Sequence, residues 1–334
     1  MVTAKTAKQK TLGAGLTMKA AAIDRFGPPR VLKLHTLPVP RPGPKQVLIA
    51  VYAAGVGVWD ASVRDGSWRP YGRPKFPLVL GTDGAGIVVE KGNRVRRFRV
   101  GDRVYAVDYS GGFYAEFVAT DAQNTARAPR RLDWLQAGAA LVPGLTALQG
   151  IDDHLRIRRG ETVLIYGASG SVGTLAIQFA KRLRARVLAT ASGPDAAALV
   201  RRLGADEVFD PRASNAVDKL RLLARDGVDA VLALAGSPVL EKCLDLVRPR
   251  GRVAYPNGVE PEPHRRGSKV RMIAYDAEAG PREFARLERA VTEARLSVPI
   301  AAKYSLAQAA KAHARIERGH ILGRIVLQIR SRTT

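Results

Sequence analysis

The chain has 334 residues, 46% of them hydrophobic, and 54 Lys and Arg against 30 Asp and Glu give a formal net charge of +24. That length suffices for two domains with separate cores, and the apolar content excludes an intrinsically disordered chain. No apolar run reaches bilayer-crossing length, and the single cysteine, Cys243, excludes intrachain disulfides and a multi-cysteine zinc site, as suits a reducing cytoplasm.

Residues 1–17 are Lys-rich and acid-free, without an apolar centre. They read as a basic disordered extension rather than a secretory signal, the alternative being an arm that touches an anionic partner. From Met18, short alternating runs separated by Pro and Gly predict antiparallel strands as far as Ala119, with little helix. Residues 132–155 read as helical, broken at Pro143-Gly144. There follows a short apolar run, 163–166, then a turn with the spacing G-x-x-G-x-x-G, then apolar residues at helical period through Leu183.

That strand, turn and helix form the organising unit. Gly167 lets the chain leave the strand with an unusual φ, Gly170 removes a side chain where a diphosphate would approach, and Gly173 lets the helix lie close to the sheet. Backbone N–H groups around Ala168, Ser169, Ser171 and Val172, at a positive helix N-terminus, suit a pyrophosphate. Further strands at 186–191, 207–210, 228–235 and 251–256 alternate with helices at 196–203 and 216–225, which predicts a doubly wound parallel α/β sheet. After Pro256 a polar loop leads to a strand at 270–275, helices at 281–295 and 306–318, and a closing strand at 323–329.

The basic residues are mainly arginines spread along the chain, in runs such as 94–99, 156–159 and 263–269, without interleaved aromatics. A solvated basic surface is the simple reading, and a nucleotide-responsive protein that binds RNA or DNA is the rival from another class. Cys243 lies in an amphipathic helix as a buried structural thiol.

The segments M-K-A-A-A-I-D-R-F-G, P-L-V-L-G-T-D-G-A-G-I-V, G-D-R-V-Y-A, G-L-T-A-L-Q, G-A-S-G-S-V-G, R-R-L-G-A-D-E-V and G-R-I-V-L, in that order, resemble the medium-chain dehydrogenase/reductase superfamily, in its zinc-independent quinone oxidoreductase and enone reductase branch. The resemblance implies a GroES-like β catalytic domain (residues 18–142 and 271–334) and a Rossmann NAD(P)-binding domain (143–270), with the active site in the cleft between them. It also implies hydride transfer from a nicotinamide and a homodimer.

In zinc-dependent members the stretch matching residues 55–60 carries a ligand Cys and then a His, and the later block carries His-Glu. Here those places hold Gly57, Val58 and Thr82-Asp83, and glycine and valine supply no ligand atom. His35, His154, His264, His313 and His320 show no metal-ligand spacing. Without a Lewis acid, reduction of a quinone or α,β-unsaturated carbonyl is favoured, because the developing charge delocalises. A carbonyl or polyketide-type enoyl reductase is the alternative. Branch members carry Asn at the place of Gly57 and Tyr at that of Ser62. Trp59 as an aromatic wall, Ser62 as a donor, Tyr52, Tyr71 or Tyr109 as a phenol, and Thr146 near the nicotinamide are the catalytic-side candidates, with Asp60 as a structural hydrogen-bonding residue.

For the cofactor, Ser192 occupies the neighbourhood of the second strand's end with no acid to repel a 2′-phosphate, and Asp195 belongs to the next helix start, so NADPH is expected, with NADH as the alternative. The resemblance's phosphate-binding Lys and Tyr fall at Ala196 and Pro211. Arg212 is the expected replacement, and Arg324 is expected near the phosphates. Ala235, Gly236, Tyr255 and Asn257 close later strands on the same sheet edge.

Overall fold

The computed structural model describes residues 15–68, 75–264 and 269–331. Two sheets dominate it. One has seven strands, with Arg324–Gln328 and Ile300–Ser305 on one side of the long central strand Gln46–Val56, and Asp83–Lys91, Arg103–Val107 and Thr125–Arg127 on the other; Phe117–Asp121 also pairs with the central strand. Its pairs are antiparallel except Ile300–Ser305 with Arg324–Gln328, so the chain's last strands complete a sheet begun near its start. A three-stranded sheet of Lys33–Pro38, Thr17–Ile23 and Leu78–Val79 stands beside it.

The second sheet is wholly parallel, in the spatial order Glu207–Phe209, Arg186–Thr190, Thr162–Tyr166, Val228–Ala233, Val247–Pro256 and Arg271–Tyr275. The order reverses beside Thr162–Tyr166, where the chain turns out in both directions, and such a switch point opens a crevice at the carboxyl ends of the strands. Strands buried on both faces read as continuous apolar runs, which is why V-L-I-Y and V-L-A-T were legible. The sixth strand, Arg271–Tyr275, lies beyond residue 270, where the sequence division ends the Rossmann domain.

Helix Trp134–Gln149 joins the two units. It is continuous through Pro143, against the break expected there, and ends in a π-turn, Gly150–His154. Pro143 removes one backbone bond, but the helix is buried from Ala137 to Gln149 and clamped by its neighbours. At Gly138 an added Cβ would sit 2.7 Å from the Ala53 carbonyl oxygen, so the helix touches the central strand backbone to backbone. The largest core cluster runs from Ala85 and Tyr105 through this helix to Val163, Leu175 and Val187, giving the two sheets one shared interior. Cys243 is buried in helix Pro238–Leu244, and burial pushes its thiol up to about 11. No helix among the described residues is long and apolar enough to cross a membrane. Of the expected features, residues 1–14 of the extension, Tyr71, part of the basic run at 263–269 and residues 332–334 lie outside the described residues.

Candidate active site

The glycine turn sits at the crevice. Gly167 has φ +84 and its N–H is held by the Thr190 hydroxyl at 2.8 Å, which ties the turn to the second parallel strand. At Gly173 a Cβ would meet Ala168 Cα and the Gly167 carbonyl oxygen, both at 2.6 Å, so only glycine lets helix Ser171–Arg182 start this close to the strand. At Gly170 the nearest atom to an added Cβ is 3.5 Å away, so the missing side chain there serves no internal packing and leaves open space over the helix N-terminus. No side chain caps that N-terminus. Uncapped N–H groups behind a bare glycine form a cradle that fits a diphosphate. Ala235 lies against Gly167, its Cβ 3.6 Å from an added Gly167 Cβ, and Gly236 packs on the Glu260-Pro261 backbone.

The loop is bound to the catalytic sheet from below. Gly323 donates its N–H to the Ser169 carbonyl at 2.9 Å, and Gly170 and Gly323 form a parallel bridge. Arg324 follows directly, so its backbone lies beside the loop. Its guanidinium is turned elsewhere: Nη2 donates to Asp83 Oδ1 at 2.7 Å, and both side chains are buried, 2% and 0% exposed. Burial raises the Asp83 carboxyl above its ordinary range, while the Arg324 charge and the Val142 N–H oppose the rise. Gly55 is bare because a Cβ there would strike both partners within 2.7 Å.

Beside this pair lies a polar cluster on helix Val58–Asp65. Trp59 Nε1 donates to Thr82 Oγ1 at 3.1 Å, and Thr82 donates to Asp60 Oδ1 at 2.9 Å. Asp60 Oδ2 accepts the Gly57 N–H at 2.7 Å and the Tyr114 hydroxyl at 3.3 Å. Burial pushes the Asp60 carboxyl up to about 6, against the Gly57 N–H and the Arg324 charge. Behind Tyr114, His313 Nε2 lies 3.3 Å from its hydroxyl, and His313 Nδ1 faces Arg64 Nη1 at 3.3 Å. A guanidinium only donates, so Nδ1 accepts and Nε2 carries the proton. Burial first, and the Arg64 charge second, hold the imidazole down at about 3. Arg64 also donates to the Gly27 carbonyl and pairs with Glu317 at 2.6 Å.

Other candidates are placed less favourably. Ser62 turns its hydroxyl back to the Val58 carbonyl at 3.5 Å, and Thr146 donates to the Val142 carbonyl at 2.9 Å, each a helix residue bonded one turn back. Tyr52 stacks on Trp134 with ring centroids 4.4 Å apart, and Tyr109 is exposed. Tyr255 donates to Glu262 at 2.7 Å and burial pushes its phenol up to about 12, while Asn257 donates to Asp276 at 2.8 Å. At the far end of the crevice, Ser192 donates to Asp210 Oδ1 at 2.8 Å, and the same oxygen accepts the Arg212 N–H at 2.8 Å. The expectation that no acid faces this position is therefore corrected: none ends the second strand, but Asp210 reaches over from the end of the third. The Arg212 side chain is exposed. Asp195 stands in the first turn of Pro194–Arg202, 3.4 Å from His320.

Sequence reasoning passed over Asp83 as a partner of Arg324, and the His313 link to Asp60. Only the apolar neighbourhood of His313 hinted at its burial. Among the described residues no group of three or more His, Cys, Asp or Glu is arranged to hold a metal ion.

Two family models match the chain: "Alcohol dehydrogenase GroES-like domain" over residues 43–130 and "Zinc-binding dehydrogenase" over residues 203–327. The quinone oxidoreductase of Rattus norvegicus is 37% identical over 238 residues, 71% of this chain and 72% of that protein. Among solved structures, an NAD-dependent alcohol dehydrogenase superposes with a TM-score of 0.87 at 30% identity, covering 94% of this chain and all of that one. A mycobacterial protein in complex with NADPH superposes with a TM-score of 0.82 at 30% identity, covering 93% of this chain and all of that one.

Proposed function

The chain belongs to the medium-chain dehydrogenase/reductase superfamily, and we propose that within it this oxidoreductase is a zinc-independent reductase of quinones or α,β-unsaturated carbonyls that prefers NADPH. One observation carries the reading. Where zinc-dependent members place ligands, this chain has Gly57, Val58 and a Thr82 whose hydroxyl is already committed to Asp60 and the Trp59 indole. Zinc does not fit those residues, in spite of the name of one matching model. With the Arg324 guanidinium also held by Asp83, these side chains offer no free electrophile for a localised alkoxide. A conjugated acceptor needs less help, because its charge spreads as a phenolate or enolate.

When bound, a reduced nicotinamide supplies the hydride. The chain's own part is to cradle the diphosphate at Gly167–Gly173, to keep the two domains in register through Gly323, and to present Trp59 to the acceptor. The proton that completes the reduction comes from water, since the nearby hydroxyls donate inward. For NADPH, the basis is Ser192, in the segment that follows the second strand, and the exposed Arg212 beside it. The Asp210 carboxylate favours NADH instead. We take the enzyme to be a cytoplasmic homodimer; light scattering of the purified protein tests the dimer.

Oxidation of NADPH and NADH, measured side by side against quinones, enones, aldehydes and ketones, tests the whole reading. Turnover confined to quinones or enones and indifferent to a chelator supports it. Chelator-sensitive turnover of simple aldehydes overturns it.

A further inference from the structure

Resting on that reading and deepening it, the geometry points to Trp59 as the residue that selects the acceptor, with Thr82 and Asp60 as the residues that position it. The indole is a fixed aromatic wall for flat conjugated rings of the naphthoquinone class, and it discriminates against small aliphatic acceptors.

The first argument is space. Gly57 has φ −109 and ψ 160, ordinary extended backbone that any residue adopts, so its bareness is not a backbone requirement. An added Cβ would lie 2.7 Å from Trp59 Cε2 and 2.9 Å from Cζ2. The room a side chain at 57 would need is taken by the indole, and the two positions form one unit.

The second is orientation. Thr82 Oγ1 accepts the indole N–H while its own proton goes to Asp60, and the buried Asp60 carboxyl is fixed in turn by Gly57 and Tyr114. Swinging the ring away would leave the Thr82 oxygen and the indole N–H without their mutual bond in a mostly dry site. On the ring's face, the Arg324 guanidinium carbon stands 5.5 Å from the centroid, itself held by Asp83. The charged groups acting on Asp60 are Arg324 and Asp83.

The third is what is left for a ligand. The ring is half-buried, and the preceding Val58 is 64% exposed, so the surface at the start of the helix is apolar. The donors of Trp59, Thr82, Tyr114 and Ser62 are all spent within the protein. A small carbonyl compound finds no grip there, whereas a flat ring gains stacking area.

The test compares wild type with Thr82→Val, Thr82→Ser, Trp59→Phe and the Trp59→Phe/Thr82→Val double variant, using 1,4-naphthoquinone and methyl vinyl ketone as acceptors. Thr82→Val is expected to raise KM for naphthoquinone about three- to tenfold, with KM for methyl vinyl ketone and for the cofactor within about twofold of wild type. Thr82→Ser, which keeps the hydroxyl, restores the wild-type values. Indole emission shifts in Thr82→Val, and the shift is absent when Trp59→Phe is compared with the double variant. Parallel rises in KM for both acceptors, failure of Thr82→Ser to rescue, or an unmoved emission overturn the proposal. If wild type oxidises no cofactor with either acceptor, the reductase reading fails, and the proposal is read without turnover from quenching of indole emission by naphthoquinone. Quenching that depends on Trp59 upholds the aromatic wall, and equal quenching in Trp59→Phe removes it.

Discussion

The buried Asp83–Arg324 pair makes a prediction whose pH signature separates its two halves. Arg324→Met leaves a carboxylate with 0% exposure supported, among the described residues, by the Val142 N–H; Asp83→Leu leaves a guanidinium with 2% exposure whose partner is gone. Breaking a buried pair from one side costs about 3–5 kcal/mol, because the surviving charge is uncompensated. The carboxylate has an escape that the guanidinium lacks: it takes up a proton. Losing Arg324 raises the folded-state pKa of Asp83 further above its ordinary value of 3.8, from which burial has already lifted it. The folded state then binds more protons than the unfolded state in the window above about pH 4, and stability falls as pH rises through it. Arg324→Met is therefore expected to be nearly neutral at the acid edge and to lose stability progressively toward pH 7, while Asp83→Leu carries a penalty that varies little with pH. The double variant should recover about 2 kcal/mol or more of the summed single losses. Urea unfolding of the four proteins between pH 5 and pH 8 measures all of this. A loss below about 1 kcal/mol at pH 7 for either single variant, additive losses, or the same pH profile for both singles would refute the reasoning.

Other consequences follow from the same geometry. Gly173→Ala pushes a Cβ to 2.6 Å from two backbone positions and should cost about 1–3 kcal/mol and abolish tight cofactor binding; Gly170→Ala should fold like wild type, since its Cβ has 3.5 Å of clearance, yet weaken the cofactor. Thermal unfolding and cofactor titration distinguish the two. Arg212→Ala should raise KM for NADPH roughly tenfold and leave KM for NADH unchanged, the loss expected of a charged hydrogen bond to a phosphate. His313, held neutral at about 3, stabilises the fold above the unfolded value of 6.5 and withdraws that contribution as pH falls, whereas Asp60, raised to about 6, acts in the opposite direction between pH 4 and 6. His313→Gln removes one side of that balance, so across pH 4–6 its stability relative to wild type should decline by about 1.4 kcal/mol per unit of rising pH, read from urea midpoints.

What the sequence disclosed was mostly local. Gly167, Gly170 and Gly173 announce themselves because strand, turn and helix are consecutive, and the apolar runs of the two central strands Thr162–Tyr166 and Arg186–Thr190 are buried on both faces. The replaced ligand positions at Gly57, Val58 and Thr82 were equally open to inspection. Side-chain commitments across the fold were not. Asp83 meets Arg324 across 241 positions and Arg64 meets His313 across 249, and neither partner carries a local pattern that names the other. Asp210 reaches Ser192 because two parallel strands end side by side, which propensity at 192 cannot report. Pro143 misled for the opposite reason: a strong local helix-breaking signal yielded to a helix buried on every side.

The most direct test of a metal-free conjugate reductase is the rate of NADPH oxidation with 1,4-naphthoquinone and with an enone, in protein first treated with a strong chelator. Undiminished turnover with these acceptors, alongside negligible turnover of simple aldehydes, is the result the account predicts. Loss of activity on chelation, restored by zinc, would contradict it.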